Sequence, residues 1–287
     1  MTRPVYLAPG VGMRSDSTPG CGGRLLPGRG GPTSDSADPA DSRSQPPGDG
    51  RPLPCRPGDR FVLAGPEGHH AATVKRASPG EEIDVVDGRG GRARCAVVGV
   101  SKGEVELEVL GFEREPDPSP RITLLQALAK GSRDDQAVET ATEYGVWRIV
   151  PWASARAVAN WKGKEEKARR RWESIVLAAS KQSRRSWIPE VLDVCTTPQA
   201  LRLASAEGAD LLVCHEEADM PIARAGLQGS KNLWIVVGPE GGLTQEEIES
   251  FERIGGRTVL LSPNVLRSSS AGPFAVAALS GMRGSAG

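Results

Sequence analysis

Residues 233–248 read Leu-Trp-Ile-Val-Val-Gly-Pro-Glu-Gly-Gly-Leu-Thr-Gln-Glu-Glu-Ile, an unbroken apolar run that passes through a glycine-rich turn into a helix start. The run Leu233–Val237 predicts a strand covered on both faces. Thr244, with Glu247 three residues later, forms a capping box and opens a helix. Gly238, Pro239, Glu240, Gly241 and Gly242 thus stand where a strand ends, and open α/β sheets bind ligands at the carboxyl ends of their strands. Glycines there let the backbone approach a ligand and offer its N–H groups. The same residues also suit a plain tight turn, so the loop alone names no ligand.

A second stretch, Leu260-Leu-Ser-Pro-Asn-Val-Leu-Arg-Ser-Ser-Ser-Ala-Gly272, leaves another apolar segment and enters the last helix. Ser268, Ser269 and Ser270 are suited to capping that helix. Arg267 at its start opposes the helix macrodipole. An anionic group nearby accounts for it, and so does plain surface exposure. His215 follows the apolar run Leu211–Cys214 and is either a general base or a polar loop residue. Glu240 is the acid of the glycine loop. His69 and His70 lie far away along the chain and complete no evident triad.

Between Arg156 and Arg185 stand ten basic residues: Arg156, Lys162, Lys164, Lys167, Arg169, Arg170, Arg171, Lys181, Arg184 and Arg185. Only Glu165, Glu166 and Glu173 oppose them, a local net of +7. Such a concentration in a chain of net charge +0 predicts a face for a polyanion. Trp161 and Trp187 flank it and are suited to stacking on bases, whereas Trp172 falls in an apolar stripe and belongs to the core. A solvated helix face is the alternative.

These residues need elements to hold them. Met1–Pro9 predicts a strand centred on Val5, Tyr6 and Leu7. From Gly12 to Gly50 the only large apolar residues are Met13, Leu25 and Leu26, so this low-complexity stretch predicts disorder. Arg60–Gly65, Ala71–Ala77, Glu81–Asp87, Arg92–Val100 and Glu104–Phe112 predict five short strands, hence a small β-barrel. Glu115-Pro-Asp-Pro-Ser-Pro120 is a stiff linker that separates residues 1–115 from 121–287. Beyond it, strands at Ile122–Leu128, Val146–Trp152, Leu211–Cys214, Leu233–Val237 and Thr258–Leu261 alternate with helices at Asp134–Tyr144, Glu165–Ser183 and Ser269–Met282. That order predicts a mostly parallel α/β sheet.

The five cysteines, Cys21, Cys55, Cys95, Cys195 and Cys214, are odd in number and form no C-x-x-C pair. The pattern disfavours a disulfide framework and a zinc site, and no metal is expected. No apolar run approaches the ~20 residues of a membrane span. The N-terminus lacks the apolar core of a signal peptide, so the cytoplasm is the expected location.

Gly238-Pro-Glu-Gly-Gly242 followed by Leu260-x-Ser-Pro-x-Val-Leu-Arg267 resembles the paired signature of the 16S ribosomal RNA uridine-N3 methyltransferases of the knotted SPOUT superfamily. Lys130-Gly131, Glu143-Tyr-Gly-Val146, Lys181-Gln-Ser-Arg-Arg185, Ile188-Pro-Glu-Val191 and His70-x-x-x-Val-Lys-Arg76 are similar to further family positions. The resemblance implies a PUA-like N-terminal barrel for RNA and a trefoil-knotted α/β domain binding S-adenosylmethionine, paired as a homodimer. An apolar last helix in need of a partner agrees with the pairing. It places the cofactor at Leu212 to His215, at Gly238–Gly242, and at Leu260, Leu261, Ser262, Val265, Leu266 and Arg267. Leu261, Val265 and Leu266 are its apolar walls. It places RNA at His70, Lys75, Arg76, Lys181, Gln182, Arg184 and Arg185, the partner being small-subunit ribosomal RNA, free or in the assembled 30S particle.

The chain departs from the family pattern at Ser262, where glycine is usual, and at Ser268-Ser-Ser270, where Thr-Glu-Thr or Thr-Ser-Thr is usual. Gly272-Pro273 and Lys130-Gly-Ser-Arg133 are also unusual. The implied reaction is methyl transfer to uracil N3, with Arg267 contacting the ring anion or a phosphate. No side chain is a convincing base; Glu240 is a candidate but is better suited to anchoring its loop. The rival functions are methylation of another RNA site or a ribose 2′-oxygen, and RNA binding without the cofactor.

Overall fold

The structure is a computed structural model that describes residues 3–8, 53–225 and 229–281. The low-complexity stretch from Gly12 to Gly50 lies outside the described residues. The N-terminal unit is one five-stranded sheet in the order β1-β3-β4-β5-β2. Its strands are β1 Val5–Leu7, β2 Arg60–Leu63, β3 Glu82–Val86, β4 Gly91–Ser101 and β5 Glu104–Arg114. β1 runs parallel to β3 and the remaining pairs are antiparallel. Strict alternation along β5 sends Val105, Leu107 and Val109 inward. They join Tyr6, Phe61, Leu63, Ile83, Val85 and Cys95 in one core. Register shifts at Arg94/Cys95 and Val97/Gly99 mark the bulges at which a sheet bends round such a core.

The expected strand Ala71–Ala77 is instead helical. A short helix α1, Gly65–His69, continues into a π-helical turn at His70–Val74. Pro66 favours the helix start. The Lys75 N–H reaches back to the His70 carbonyl at 2.9 Å. The β-branched Thr73 and Val74 suggested a strand, but burial falls on Ala71 and Ala77, which is not a period-two pattern.

The second unit is a seven-stranded sheet, β12-β10-β11-β6-β7-β8, with β9 also on β7. Its strands are β6 Arg121–Ala127, β7 Arg148–Ala153, β8 Glu190–Val191, β9 Cys195–Thr196, β10 Asp210–Cys214, β11 Asn232–Val237 and β12 Arg257–Val259. Every pair is parallel. Its helices are α2 Arg133–Glu143, α3 Glu165–Gln182, α4 Thr197–Ala206, α5 Gln245–Arg253 and α6 Ser268–Gly281.

The continuous apolar runs of β6 and β11 hide an alternation. Ile122, Leu124, Leu233, Ile235 and Val237 face α2, α3 and α6. Leu125, Ala127, Trp234 and Val236 face α4 and α5. Both faces of the sheet are thus covered, as parallel sheets require. Helix α4, which the sequence reading left unassigned, starts on a capping box of Thr196 and Gln199. β12 stops at Val259, two residues short of expectation. Leu260 leaves the sheet and its backbone pairs with Met220 and Ile222 instead.

The proline-rich linker does not stand free between the two units. Trp187 Nε1 donates to the Pro116 carbonyl at 3.1 Å, and the Ser186 hydroxyl donates to Glu115 at 2.7 Å. Val5, Leu7 and Val86 of the first sheet pack on Leu177 and Ile188 of the second unit.

Candidate functional site

The parallel register brings the carboxyl ends of β10, β11 and β12 to one edge, where the chain forms a cavity of about 260 Å³. His215, Gly238, Pro239, Glu240, Gly242, Val265, Leu266 and Arg267 line it, all named from the sequence. Leu260, Leu261 and Ser262 line an adjoining pocket of about 60 Å³, which shares His215, Val265 and Leu266. Three loops separated by up to fifty residues of chain thus converge on one space.

Two expected residues are not on its surface. Leu212 is fully buried and points into the core beneath α6. Gly241 turns the other way, where its Cβ position would sit 3.4 Å from Arg156 Cβ. Cys214, within the expected Leu212–His215 segment, and Ser268 of the serine run also line the cavity, together with Glu216, Val237, Leu243 and Ala271, which were not placed in the site. Glu216 adjoins His215, so adjacency to that residue was the available signal for it.

The glycine loop is shaped by particular constraints. A Cβ at Gly238 would come within 2.8 Å of Leu243 Cδ2, and Gly242 has a φ of +71°. The Gly242 N–H closes a tight turn on the Pro239 carbonyl at 2.9 Å. Glu240 pairs with Arg133 at 3.2 Å, so it ties this loop to the start of α2. Glu247 is buried. One of its oxygens accepts from the Thr244 N–H and hydroxyl, the other from the Ala155 N–H at 2.8 Å and the Thr197 hydroxyl at 3.2 Å.

In the third loop the Ser262 hydroxyl accepts from the Asn264 N–H at 3.1 Å, so the departure from glycine braces the turn. The serine run does not precede the last helix as caps. Ser268 is already its first residue, and the Arg267 carbonyl accepts from the Ser270 and Ala271 N–H groups. Ser268 is buried at the cavity wall, and among the described residues its hydroxyl has no hydrogen-bond partner. The Arg267 side chain is exposed on the cavity rim. His215 Nδ1 accepts from the Glu217 N–H at 3.3 Å. Burial pushes the Cys214 thiol up to about 12.

Gly272 lies close against β6, its Cβ position 3.0 Å from Leu124 Cδ1 and Gln126 Oε1. That contact lets α6 approach the sheet and gives the unusual Gly272 a packing role.

Four of the ten basic residues in the run on and around α3 meet carboxylates. Arg169 pairs with Glu173 and Asp193, Arg170 with Glu166, and Arg171 with Asp135. Lys181 binds both oxygens of Glu67 across the domain junction at 2.8 and 3.0 Å. Arg185 donates to the Thr142 and Val146 carbonyls at 2.6 and 2.8 Å, where it closes the end of α2. Arg184 gives its carbonyl to Arg92 at 2.7 Å, and Gln182 is exposed. Trp161 packs edge-on against the buried Trp172 at 4.9 Å, and Trp187 against Trp147 at 5.2 Å. Sequence alone could not reveal these acids, because Glu67, Asp135 and Asp193 lie outside the run.

In the first unit, Lys75 and Arg76 are exposed at the end of the π-helical turn, beside Val74 at 59% exposure. His70 is half-buried with its ring 6.2 Å from that of Tyr6. Among the described residues no group of three or more His, Cys, Asp or Glu is placed to hold a metal ion. No described helix is long and apolar enough to cross a membrane.

Residues 115–280 match the family model described as an RNA methyltransferase domain, and residues 63–110 match an RNA methyltransferase PUA domain. The chain is 42% identical over 222 residues to the ribosomal RNA small subunit methyltransferase E of Mycobacterium bovis, covering 76% of this chain and 85% of that one. It is 31% identical over 229 residues to the Bacillus subtilis protein of the same name, covering 77% and 89%. Its fold is similar to the crystal structure of the Neisseria gonorrhoeae enzyme bound to S-adenosyl methionine, with a TM-score of 0.73 and 28% identity over 81% of this chain and 95% of that one. With both domain models matched in order and a relative this similar over most of its length, the chain belongs to the ribosomal RNA small subunit methyltransferase E family.

Proposed function

We propose that this chain transfers the methyl group of S-adenosylmethionine to N3 of a uridine in 16S ribosomal RNA. The carrying observation is the cavity formed by His215, the Gly238–Gly242 loop and the Val265–Arg267 loop at the carboxyl edge of a parallel sheet. In a family that includes a relative with S-adenosyl methionine bound, that cavity suits the cofactor. The residues present fit it. Gly238, Pro239 and Gly242 offer a backbone wall, Val265 and Leu266 an apolar one, and the buried Ser268 hydroxyl has no partner among the described residues.

When bound, the cofactor supplies an electrophilic methyl group, and the chain supplies position and charge. Arg267 stands exposed at the cavity rim, suited to the negative charge that develops on the uracil ring as its N3 proton departs. Glu240, committed to Arg133, holds the glycine loop rather than acting as a base. Lys75, Arg76 and the neighbouring His70 form the RNA-facing end of the PUA unit. The exposed Val265 and Phe274, at 79% and 43%, support a homodimer that covers the last helix. The knotted threading of the loops and a cytoplasmic location complete the reading.

The test is single-turnover methylation of small-subunit ribosomal RNA, free and as 30S particles, followed by mass mapping of the modified nucleoside. N3-methyluridine is the expected product. A ribose 2′-O-methyl product overturns the atom assignment. No uptake of S-adenosylmethionine in calorimetry overturns the enzymatic reading and leaves an RNA-binding protein.

A further inference from the structure

The β7–α3 connection carries a residue whose sequence context misdirects. Arg156 begins the basic run, yet its Nη1 donates to two main-chain carbonyls of the glycine loop, Gly241 and Leu243, each at 3.1 Å. Its Cβ and Cδ lie 3.4 and 3.8 Å from the Cβ position of Gly241. The preceding residue is tied to the same element, through the Ala155 N–H bond to Glu247 at the start of α5. Two successive residues therefore grip the far side of the loop at its end and at the helix that follows.

The division of the loop between two faces follows from that grip. Gly238, Pro239, Glu240 and Gly242 line the cavity, while Gly241 faces Arg156. Carbonyls turned toward a guanidinium are not turned into the cavity. We infer that Arg156 is a positioning residue that sets the shape of the cofactor wall, and that it does not contact RNA. The effect on cofactor affinity rests on the reading proposed above; the effect on loop order does not.

Both bonds come from a single nitrogen, so an ammonium with three N–H groups is able to replace it in part, although lysine is shorter. A methionine keeps much of the length and loses both donors.

The experiment compares wild type, Arg156→Met and Arg156→Lys in three measurements. Hydrogen exchange of the amides in residues 238–244, without cofactor, should be about tenfold faster in the methionine variant and partly restored in the lysine variant. The dissociation constant for S-adenosylmethionine should rise about 10- to 100-fold in the methionine variant, with kcat at saturating cofactor changed less than about threefold. RNA affinity and its salt slope should stay at the wild-type values.

Unchanged loop exchange in Arg156→Met overturns the inference. So does a salt slope lowered by about 0.7, which marks a lost contact to a single-stranded phosphate. If the methionine variant does not fold, Arg156→Gln, which keeps one shorter donor, is read by the same criteria. If wild type takes up no S-adenosylmethionine while the exchange result holds, the proposed function fails and the positioning role stands.

Discussion

Alanine at Gly242 adds a methyl group to open space and an unfavourable dihedral to the loop, so the dihedral decides the outcome. The nearest atom to the new Cβ is Arg156 Nη1 at 3.9 Å, an ordinary contact. The φ of +71° is another matter, because the left-handed region costs an L residue about 1–2 kcal/mol. The turn cannot relax without giving up the Gly242 N–H bond to Pro239, a further loss of about 1 kcal/mol. A strain of about 1–2 kcal/mol on the binding shape corresponds to a factor of about 5–30 in affinity for S-adenosylmethionine. Asparagine visits the left-handed region more readily than alanine, so Gly242→Asn should bind the cofactor more tightly than Gly242→Ala.

Gly238 supplies the control. Its φ is not in that region, but its Cβ would lie 2.8 Å from Leu243 Cδ2. Space is short there, so asparagine should be worse than alanine, the reverse order. Calorimetry with S-adenosylmethionine on the four variants, with thermal midpoints alongside, reads both orders. Gly242→Ala binding within twofold of wild type, or asparagine ranking below alanine at 242, would refute the dihedral argument.

Arg267→Ala should leave cofactor affinity within a few-fold but slow single-turnover methyl transfer by about 10²–10³. Loss of cofactor binding instead would make Arg267 a structural strut. Glu67 and Lys181 should show a coupling of about 0.5–1.5 kcal/mol in a double-mutant cycle of denaturant stability, with no change in the RNA salt slope. Charge removal at Lys75 and Arg76 should lower that slope by about 0.7 per lost contact, whereas Arg170→Gln, which removes a cation already paired with Glu166, should not. Because burial raises the Cys214 thiol to about 12, it stays protonated at pH 8. Iodoacetamide followed by intact mass and peptide mapping should therefore find the exposed Cys55 alkylated well before Cys214.

The resemblance drawn from two loop signatures agrees with the family assignment, and the α/β order read from apolar runs agrees with the parallel sheet. Those features are legible because near neighbours decide them. A capping box spans four residues, as Thr244 and Glu247 do. A strand buried on both faces needs only its own apolar side chains, as β11 shows. The π-helical turn at His70–Val74 was not legible, because its β-branched residues suit a strand and only packing of Ala71 and Ala77 against the first core selects the helix. Nor was helix α4, whose capping box went unread among short polar residues.

The sequence by itself determined which residue types the site contains and the order in which its three loops occur. Only the tertiary structure decided which of them face the cavity. It turned Gly241 toward Arg156 and buried Leu212 in the core beneath α6. It also decided the fate of the basic run. Charge counted along the chain is a sum over neighbours in sequence, but charge in solution depends on neighbours in space. Lys181 meets Glu67 across 114 residues, and Arg171 meets Asp135 across 36. Arg156 reaches Gly241 across 85. Such pairings form only when the parallel sheet has fixed its strand ends and the two units have docked, so no local pattern carries them.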